Sequence, residues 1–177
     1  RNIWLQNGLK WGIFFSMKSS YDLSSEDLVV DNPGRIAVIA SMFNGDVTQE
    51  MVRCCLNTLK QYGYRKKQVD VYWVPGAWEL PQTVKTVAKE KDTNDAAIAI
   101  GCIIRGKTSH FDYVAGEASN GLGEVARSSE FPVIFGVLTT DTWEQAWERA
   151  SESGEDKGGE LAKAALHMIK LFRRIQE

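Results

Sequence analysis

DAAIAIGCIIRGKTSHFDYV, residues Asp95 to Val114, begins as a continuous apolar run and passes through Gly101 and Gly106. It then presents Arg105, Lys107, Thr108, Ser109 and His110 before a helical pattern takes over. An apolar run without polar alternation marks a strand covered on both faces, the usual condition of a strand in a parallel sheet. The order strand, polar turn, helix puts chemistry at the carboxyl end of a buried strand.

The same alternation extends outward on both sides. Ile36 to Ala40 is a second continuous apolar run, followed by a loop over Ser41 to Gly45 and a helix that Asp46 is expected to cap and that runs to about Tyr62. Val47, Met51, Cys55, Leu59 and Tyr62 form its apolar stripe, and Gly63 stops it. Val69 to Val74 is a strand ended by Pro75-Gly76, and Glu79, Leu80 and Pro81 open a helix that turns Leu80, Val84, Val87 and Ala88 to one side. After His110 a helix is predicted to about Glu130, interrupted or loosened by Gly116, Gly121 and Gly123. Pro132 introduces a strand over Val133 to Leu138, and Thr142 to Ala150 is a short helix with Trp143 and Trp147 one turn apart. Ser151 to Asp156 is an acidic break. A last helix starts at Lys157 or Gly158, with Leu161, Ala164, Ala165, Met168, Phe172 and Ile175 on its expected buried side. Strands alternating with helices imply right-handed crossovers and helices on both faces of the sheet. The predicted fold is α/β, a flavodoxin-like three-layer αβα sandwich with a four-stranded parallel sheet in a single domain. Residues 35–177 form that domain and residues 1–34 an N-terminal extension.

The chain has 177 residues, 44% of them hydrophobic and 25% charged, enough for one domain with a sizeable core. A formal net charge of -2 offers no broad attraction to nucleic acid or to an anionic membrane, so affinity for phosphate must come from a local site and the expected partner is a small molecule. Cys54, Cys55 and Cys102 form no CxxC pair and read as buried thiols of a reducing compartment, which points to the cytoplasm. Arg1 to Met17 is basic and aromatic. It lacks both the roughly 20 apolar residues of a membrane span and the continuous apolar core of a signal peptide. Because Met17 follows it, residues 1–16 are expected to be a start-site artefact or a loosely held arm. Residues 18–34 are a polar lead-in closed by Asp31-Asn32-Pro33-Gly34.

Informative residues gather at the strand ends. Gly106-Lys107-Thr108-Ser109 precedes a helix, where free N–H groups and the helix dipole favour an anion; an ordinary capped helix would read the same way. His110 stands beside it, and an imidazole transfers protons near neutral pH, although a capping histidine is an equally good reading. His167 lies mid-helix with nothing polar converging on it and reads as structural. Phe43 and Trp78 either stack on a planar heterocycle or cap the core. Glu79 either accepts hydrogen bonds from a polyol or occupies the favourable first turn of its helix. Arg149 and Lys157 either bind a phosphate or are solvated cations at helix ends.

Taken in order, Phe43-Asn44, VPGAWELP at Val74 to Pro81, GCIIRGKTSHFDYV at Gly101 to Val114, PVIFGVLTTDTWEQAWERA at Pro132 to Ala150 and DKG at Asp156 to Gly158 closely resemble lumazine synthase (6,7-dimethyl-8-ribityllumazine synthase) over about residues 35–176. The resemblance implies a transferase of riboflavin biosynthesis that joins 5-amino-6-(D-ribitylamino)uracil to 3,4-dihydroxy-2-butanone 4-phosphate and releases phosphate and water, with no metal and no cofactor. It implies that His110 moves protons and that Lys107, Thr108 and Arg149 hold the phosphate. By the same resemblance Trp78 stacks on the pyrimidine, Glu79 and Asn44 meet the ribityl chain, and Phe43 lines the pocket with Ala77 and the Ile103-Ile104 backbone. Phe135, Arg149, Lys157 and Glu160 match positions supplied by a neighbouring subunit, so the implied assembly is a pentamer. The family also builds icosahedral capsids of sixty subunits, and the compact spacing from Arg149 to Lys157 is that of shell-forming members; riboflavin synthase is the implied protein partner. Trp78 in place of a frequent Phe, Asp156 in place of a frequent Asn and the first 34 residues depart from the pattern. The alternative is a non-catalytic flavin- or lumazine-binding protein, or a shell scaffold, on the same fold.

Overall fold

The computed structural model describes residues 25–89 and 94–177. Its elements are α1 (Ser25–Leu28), β1 (Ile36–Ser41), α2 (Gly45–Gln61), β2 (Val69–Val74), α3 (Leu80–Ala88), β3 (Ala96–Ile104), α4 (His110–Ser128), β4 (Val133–Thr140), α5 (Trp143–Ala150) and α6 (Lys157–Gln176), with single 3-10 turns at Lys66–Gln68 and Ala77–Glu79. The four strands form one sheet in the order β2-β1-β3-β4, and every pairing is parallel. This is the flavodoxin-like α/β arrangement expected from the continuous apolar runs. The strand order reverses between β1 and β3, where such sheets open a crevice at their carboxyl ends.

Strand alternation divides the core into two layers. Ile36, Val38, Ala40, Ala96, Ile98, Ile100 and Cys102 face α2 and α6, whereas Ala37, Ile39, Ala97, Ala99 and Ile103 face α3 and α4. No helix among the described residues is long and apolar enough to cross a membrane.

Several local readings are corrected. Asn44, not Asp46, precedes α2: it adopts a left-handed φ of 56° that Asn tolerates, and its carbonyl receives the amides of Val47 and Thr48 at 3.1 and 3.2 Å. Helix α4 is continuous through its glycines. Gly121 serves packing, since a Cβ there would stand 2.8 Å from Pro81 Cβ; its absence lets α4 lie close against α3. The buried stripe of α6 is Gly158, Gly159, Ala162, Ala165, Leu166 and Ile169, rotated from the expected one, and Ile175 is exposed. The rotation follows from contact with α2, where the smallest residues take the tightest place. Strand β4 runs on to Thr140 because Ile103 and Ile104 pair with Thr139 and Thr140.

The domain also reaches further back than residue 35. Leu28 and Val30 are buried in the α2/α6 layer, Lys170 Nζ donates to the Glu26 carbonyl at 2.7 Å, and Arg173 donates to the Asp31 carbonyl and to Asp95 Oδ2, the latter at 2.9 Å. Apolar burial of Leu28 and Val30 joins residues 25–34 to the fold. The expectations for residues 1–16, and for residues 18–24 of the lead-in, fall outside the described residues.

All three cysteines are buried free thiols. Burial pushes Cys55 up to about 12 and Cys102 up to about 11, from an ordinary value of 9.0. A folded-state pKa raised above the unfolded one gives stability that is complete below pH 9 and is lost as pH rises through the folded values. The melting temperature is therefore expected to fall between pH 9 and pH 12, and Cys55→Ala to flatten that decline in thermal melts. An equal slope in the variant would contradict this account.

Candidate functional site

The carboxyl ends of β1, β2 and β3 open into a cavity of about 590 Å³ on the α4 side of the sheet. Ladder bonding continues past the strands: Met42 N donates to Val74 O at 2.7 Å and Phe43 N to Pro75 O at 3.2 Å. This holds the loop after β1 against the loop after β2, so Phe43, 70% exposed, stands at the cavity mouth. Beyond β2 the chain makes the 3-10 turn Ala77–Glu79, which presents Trp78 with 52% of its surface exposed. Two large aromatics left this open at one mouth form a ready stacking surface. Glu79 Oε2 accepts the Gly76 amide at 2.9 Å, so its carboxylate organises the turn while facing the cavity.

β3 supplies the floor through Cys102, Ile103 and Ile104, and the turn after it brings Gly106, Thr108 and His110 to the wall. Thr108 Oγ1 accepts the His110 amide at 3.4 Å. Ser109 sits at the N-cap of α4 but makes no side-chain cap bond, so the first-turn amides are not covered by its hydroxyl. The start of this 19-residue helix beside His110 and Thr108 is suited to an anion. The Cys102 side chain belongs to the opposite, α2/α6 layer, where burial raises its thiol to about 11 and keeps it protonated at neutral pH, so this residue borders the cavity through its backbone.

Phe111 and Val114 line the same cavity, although no chemical reading of the sequence singled them out. Their signal was periodicity: they lie one and four positions beyond His110, so the first turns of α4 carry them on the cavity side. Arg105 lies over the Phe111 ring at 4.0 Å and pairs with Asp112 at 3.2 Å and Asp141 at 3.1 Å. That network fixes Phe111 as the partition between the cavity and a second, polar hollow of about 400 Å³. Thr139, Thr140, Gln145 and Arg149 line the latter.

Of the residues expected at a site, Phe43, Ala77, Trp78, Glu79, Ile103, Ile104, Thr108 and His110 meet around the first cavity. The others do not line it. Asn44 Nδ2 donates to the Cys102 carbonyl at 2.9 Å, which commits its amide to joining the ends of β1 and β3. Lys107 is exposed on the turn. Phe135 is a half-exposed residue of the edge strand β4, opposite Ala99. Arg149, Lys157 and Glu160 lie where α5 hands over to α6, linked through Glu155: Arg149 to Glu155 at 3.2 Å, Lys157 to Glu155 at 3.3 Å and Lys157 to Glu160 at 2.8 Å. The Glu160 hydrogen bond, with help from Glu155, raises the Lys157 pKa and keeps the ammonium charged. His167 borders a small groove with Lys170, Leu171 and Arg174, away from the cavity.

A family model described as 6,7-dimethyl-8-ribityllumazine synthase matches residues 33–173. That span holds the whole sheet, the aromatic mouth, His110 and the Arg149–Lys157 junction. A match of this extent, covering most of the chain, means that the chain belongs to the lumazine synthase family.

Proposed function

We propose that the chain is the transferase that condenses 5-amino-6-(D-ribitylamino)uracil with 3,4-dihydroxy-2-butanone 4-phosphate to 6,7-dimethyl-8-ribityllumazine. The observation that carries the reading is one cavity that combines an aromatic mouth, an acceptor carboxylate, His110 and the open start of α4. In this reading the pyrimidine stacks on Trp78 with Phe43 beside it, and the Ile103-Ile104 backbone meets its edge. The ribityl chain runs towards Glu79 and Asn44, with the Asn44 carbonyl already used by α2 and its amide by Cys102. The phosphate lies at the Lys107-Thr108 turn. The amine of the pyrimidine attacks the ketone carbon and water leaves to give an imine. Phosphate is then eliminated, and ring closure expels a second water. His110 relays the protons that these steps move, while its neighbours hold the reacting atoms together.

Phe135, Arg149, Lys157 and Glu160 face outward on the same chain, and the reading assigns them to the cavity of an adjacent copy. A ring of five copies would complete five sites, and closure of such rings into a sixty-subunit shell is compatible with the short turn between α5 and α6. Mixing the two substrates with the purified protein and following absorbance tests the reaction: growth of the lumazine band supports it. Tight riboflavin binding without that band would replace it with the non-catalytic alternative.

Arg149→Ala is expected to raise KM for the butanone phosphate by roughly 10- to 100-fold, the effect of losing hydrogen bonds between charged partners. KM for the pyrimidine should move far less. Steady-state kinetics with each substrate varied in turn would contradict the assignment if both constants stayed unchanged.

A further inference from the structure

We infer that Glu155 is an internal occupant of the anion site made by Arg149 and Lys157, and that a phosphate group binds there by displacing its carboxylate. The identification of the incoming ligand as a phosphate rests on the proposed function; the displacement itself rests on the geometry of this junction. Arg149 Nη1 donates to Glu155 Oε1 at 3.4 Å and Oε2 at 3.2 Å, and Lys157 Nζ stands 3.3 Å from the same Oε2. One carboxylate thus bridges both cations, much as two oxygens of a phosphate would. Lys157 has a second carboxylate in Glu160, whereas among the described residues Glu155 is the only acidic side chain paired with Arg149. An external anion can bridge Arg149 Nη1 and Lys157 Nζ in this way only when Glu155 withdraws.

The turn is built to hold Glu155 in that place. Its amide donates to the Glu148 carbonyl at 2.9 Å, and the amides of Gly154 and Asp156 both donate to the Ser151 carbonyl, at 3.0 and 3.1 Å. Gly154 lies so close to the end of α5 that a Cβ would stand 2.0 Å from Glu148 O. Asp156, in the left-handed region, accepts the Gly159 amide at 3.0 Å and so fixes Lys157 as the first residue of α6. The backbone on both sides of Glu155 is therefore anchored independently of its side chain. Arg149 and Glu155 are 46% and 40% exposed, so water screens the pair and the carboxylate can be exchanged for a doubly charged competitor. Glu155 is on this account a residue that positions the two cations and sets their affinity for phosphate.

The test is calorimetric titration of the full chain with inorganic phosphate, which needs no turnover. Glu155→Gln keeps the side-chain shape and removes the competing charge, and is expected to tighten phosphate binding by about two- to fivefold. Glu155→Ala should act in the same direction, and thermal melts of both variants check that they fold. Glu152→Gln removes a nearby carboxylate that pairs with Arg53 at 2.8 Å and should leave phosphate affinity unchanged. The double variant Arg149→Ala/Glu155→Gln should lose the gain. The inference is overturned by equal or weaker binding in Glu155→Gln, by the same gain in Glu152→Gln, or by no detectable phosphate binding to either parent or variant. A failure of the proposed reaction would show separately, as absence of lumazine formation by the unaltered protein.

Discussion

Replacing His110 by alanine is expected to lower kcat for lumazine formation by about 10²- to 10⁴-fold, the usual contribution of one general acid/base group, and to leave a slow enzyme that is still measurable. The residual rate has a physical source. Holding two small substrates in reacting geometry can contribute about 7 to 11 kcal/mol by itself, and in the proposed reaction the walls that would do so are separate from the imidazole. Trp78 and Glu79 are carried by the turn after β2, and Ile103 and Ile104 by β3, so removing the His110 side chain leaves them in place. KM for each substrate is therefore expected to stay within a few-fold of the parent. Steady-state kinetics decide it: an unchanged kcat removes His110 from proton transfer. Complete loss of activity in a variant that melts like the parent would mean that His110 carries more than one role.

Gly158→Val is expected to destabilise the fold severely, with a loss exceeding about 3 kcal/mol, above the usual range for overpacking. A Cβ at Gly158 would stand 2.1 Å from the Met51 carbonyl oxygen and 2.9 Å from Cys54 Cβ. The first of these is backbone in the middle of α2, so no rotamer change relieves it. Helices α2 and α6 would have to separate, opening the layer that buries Met51, Cys55, Leu59, Leu166 and Ile169. For a chain of this length the melting temperature should fall by at least about 6 to 12 °C, or the variant should fail to accumulate as folded protein. Gly116→Ala is the contrasting change, because a Cβ there meets nothing within 4 Å. It is expected to leave stability unchanged or to raise it by up to about 1 kcal/mol through helix propensity. Circular-dichroism melts of the two variants check both, and a Gly158→Val midpoint equal to the parent's would refute the packing account.

The contrast between these glycines shows where the sequence was legible. Gly116, Gly121 and Gly123 all read as helix breakers, and α4 nevertheless runs unbroken from His110 to Ser128. Propensity weighs a glycine only against its own helix, whereas Gly121 is set by Pro81 on α3, forty residues earlier in the chain. The rotated stripe of α6 has the same origin. Leu161, Met168 and Phe172 look like the buried side because they are large, yet close contact with α2 gives the interior to Gly158, Gly159, Ala162 and Ala165. Cysteine behaved as composition suggested, with all three thiols buried.

Candidate site residues divide along the same line. Trp78, Glu79, Thr108 and His110 were legible because each follows directly from a strand end, and parallel strands bring their carboxyl ends to one edge. Phe111 was not, since its part as a partition depends on Arg105, Asp112 and Asp141 converging from the turn after β3, the start of α4 and the turn after β4. Glu155 was not either. It read as one more charge in an acidic break, and its link to Arg149 and Lys157 exists only because the turn folds back onto the end of α5.

By itself, the sequence determined that this is a parallel α/β protein of the lumazine synthase family, because continuous apolar strands, turn residues and long motifs are local signals that survive without coordinates. Tertiary structure alone decided which helix faces are buried, which glycines lie against another segment and which charges are already paired. Those depend on distances between segments far apart in the chain, and a pattern of neighbours along the sequence carries no measure of such distances.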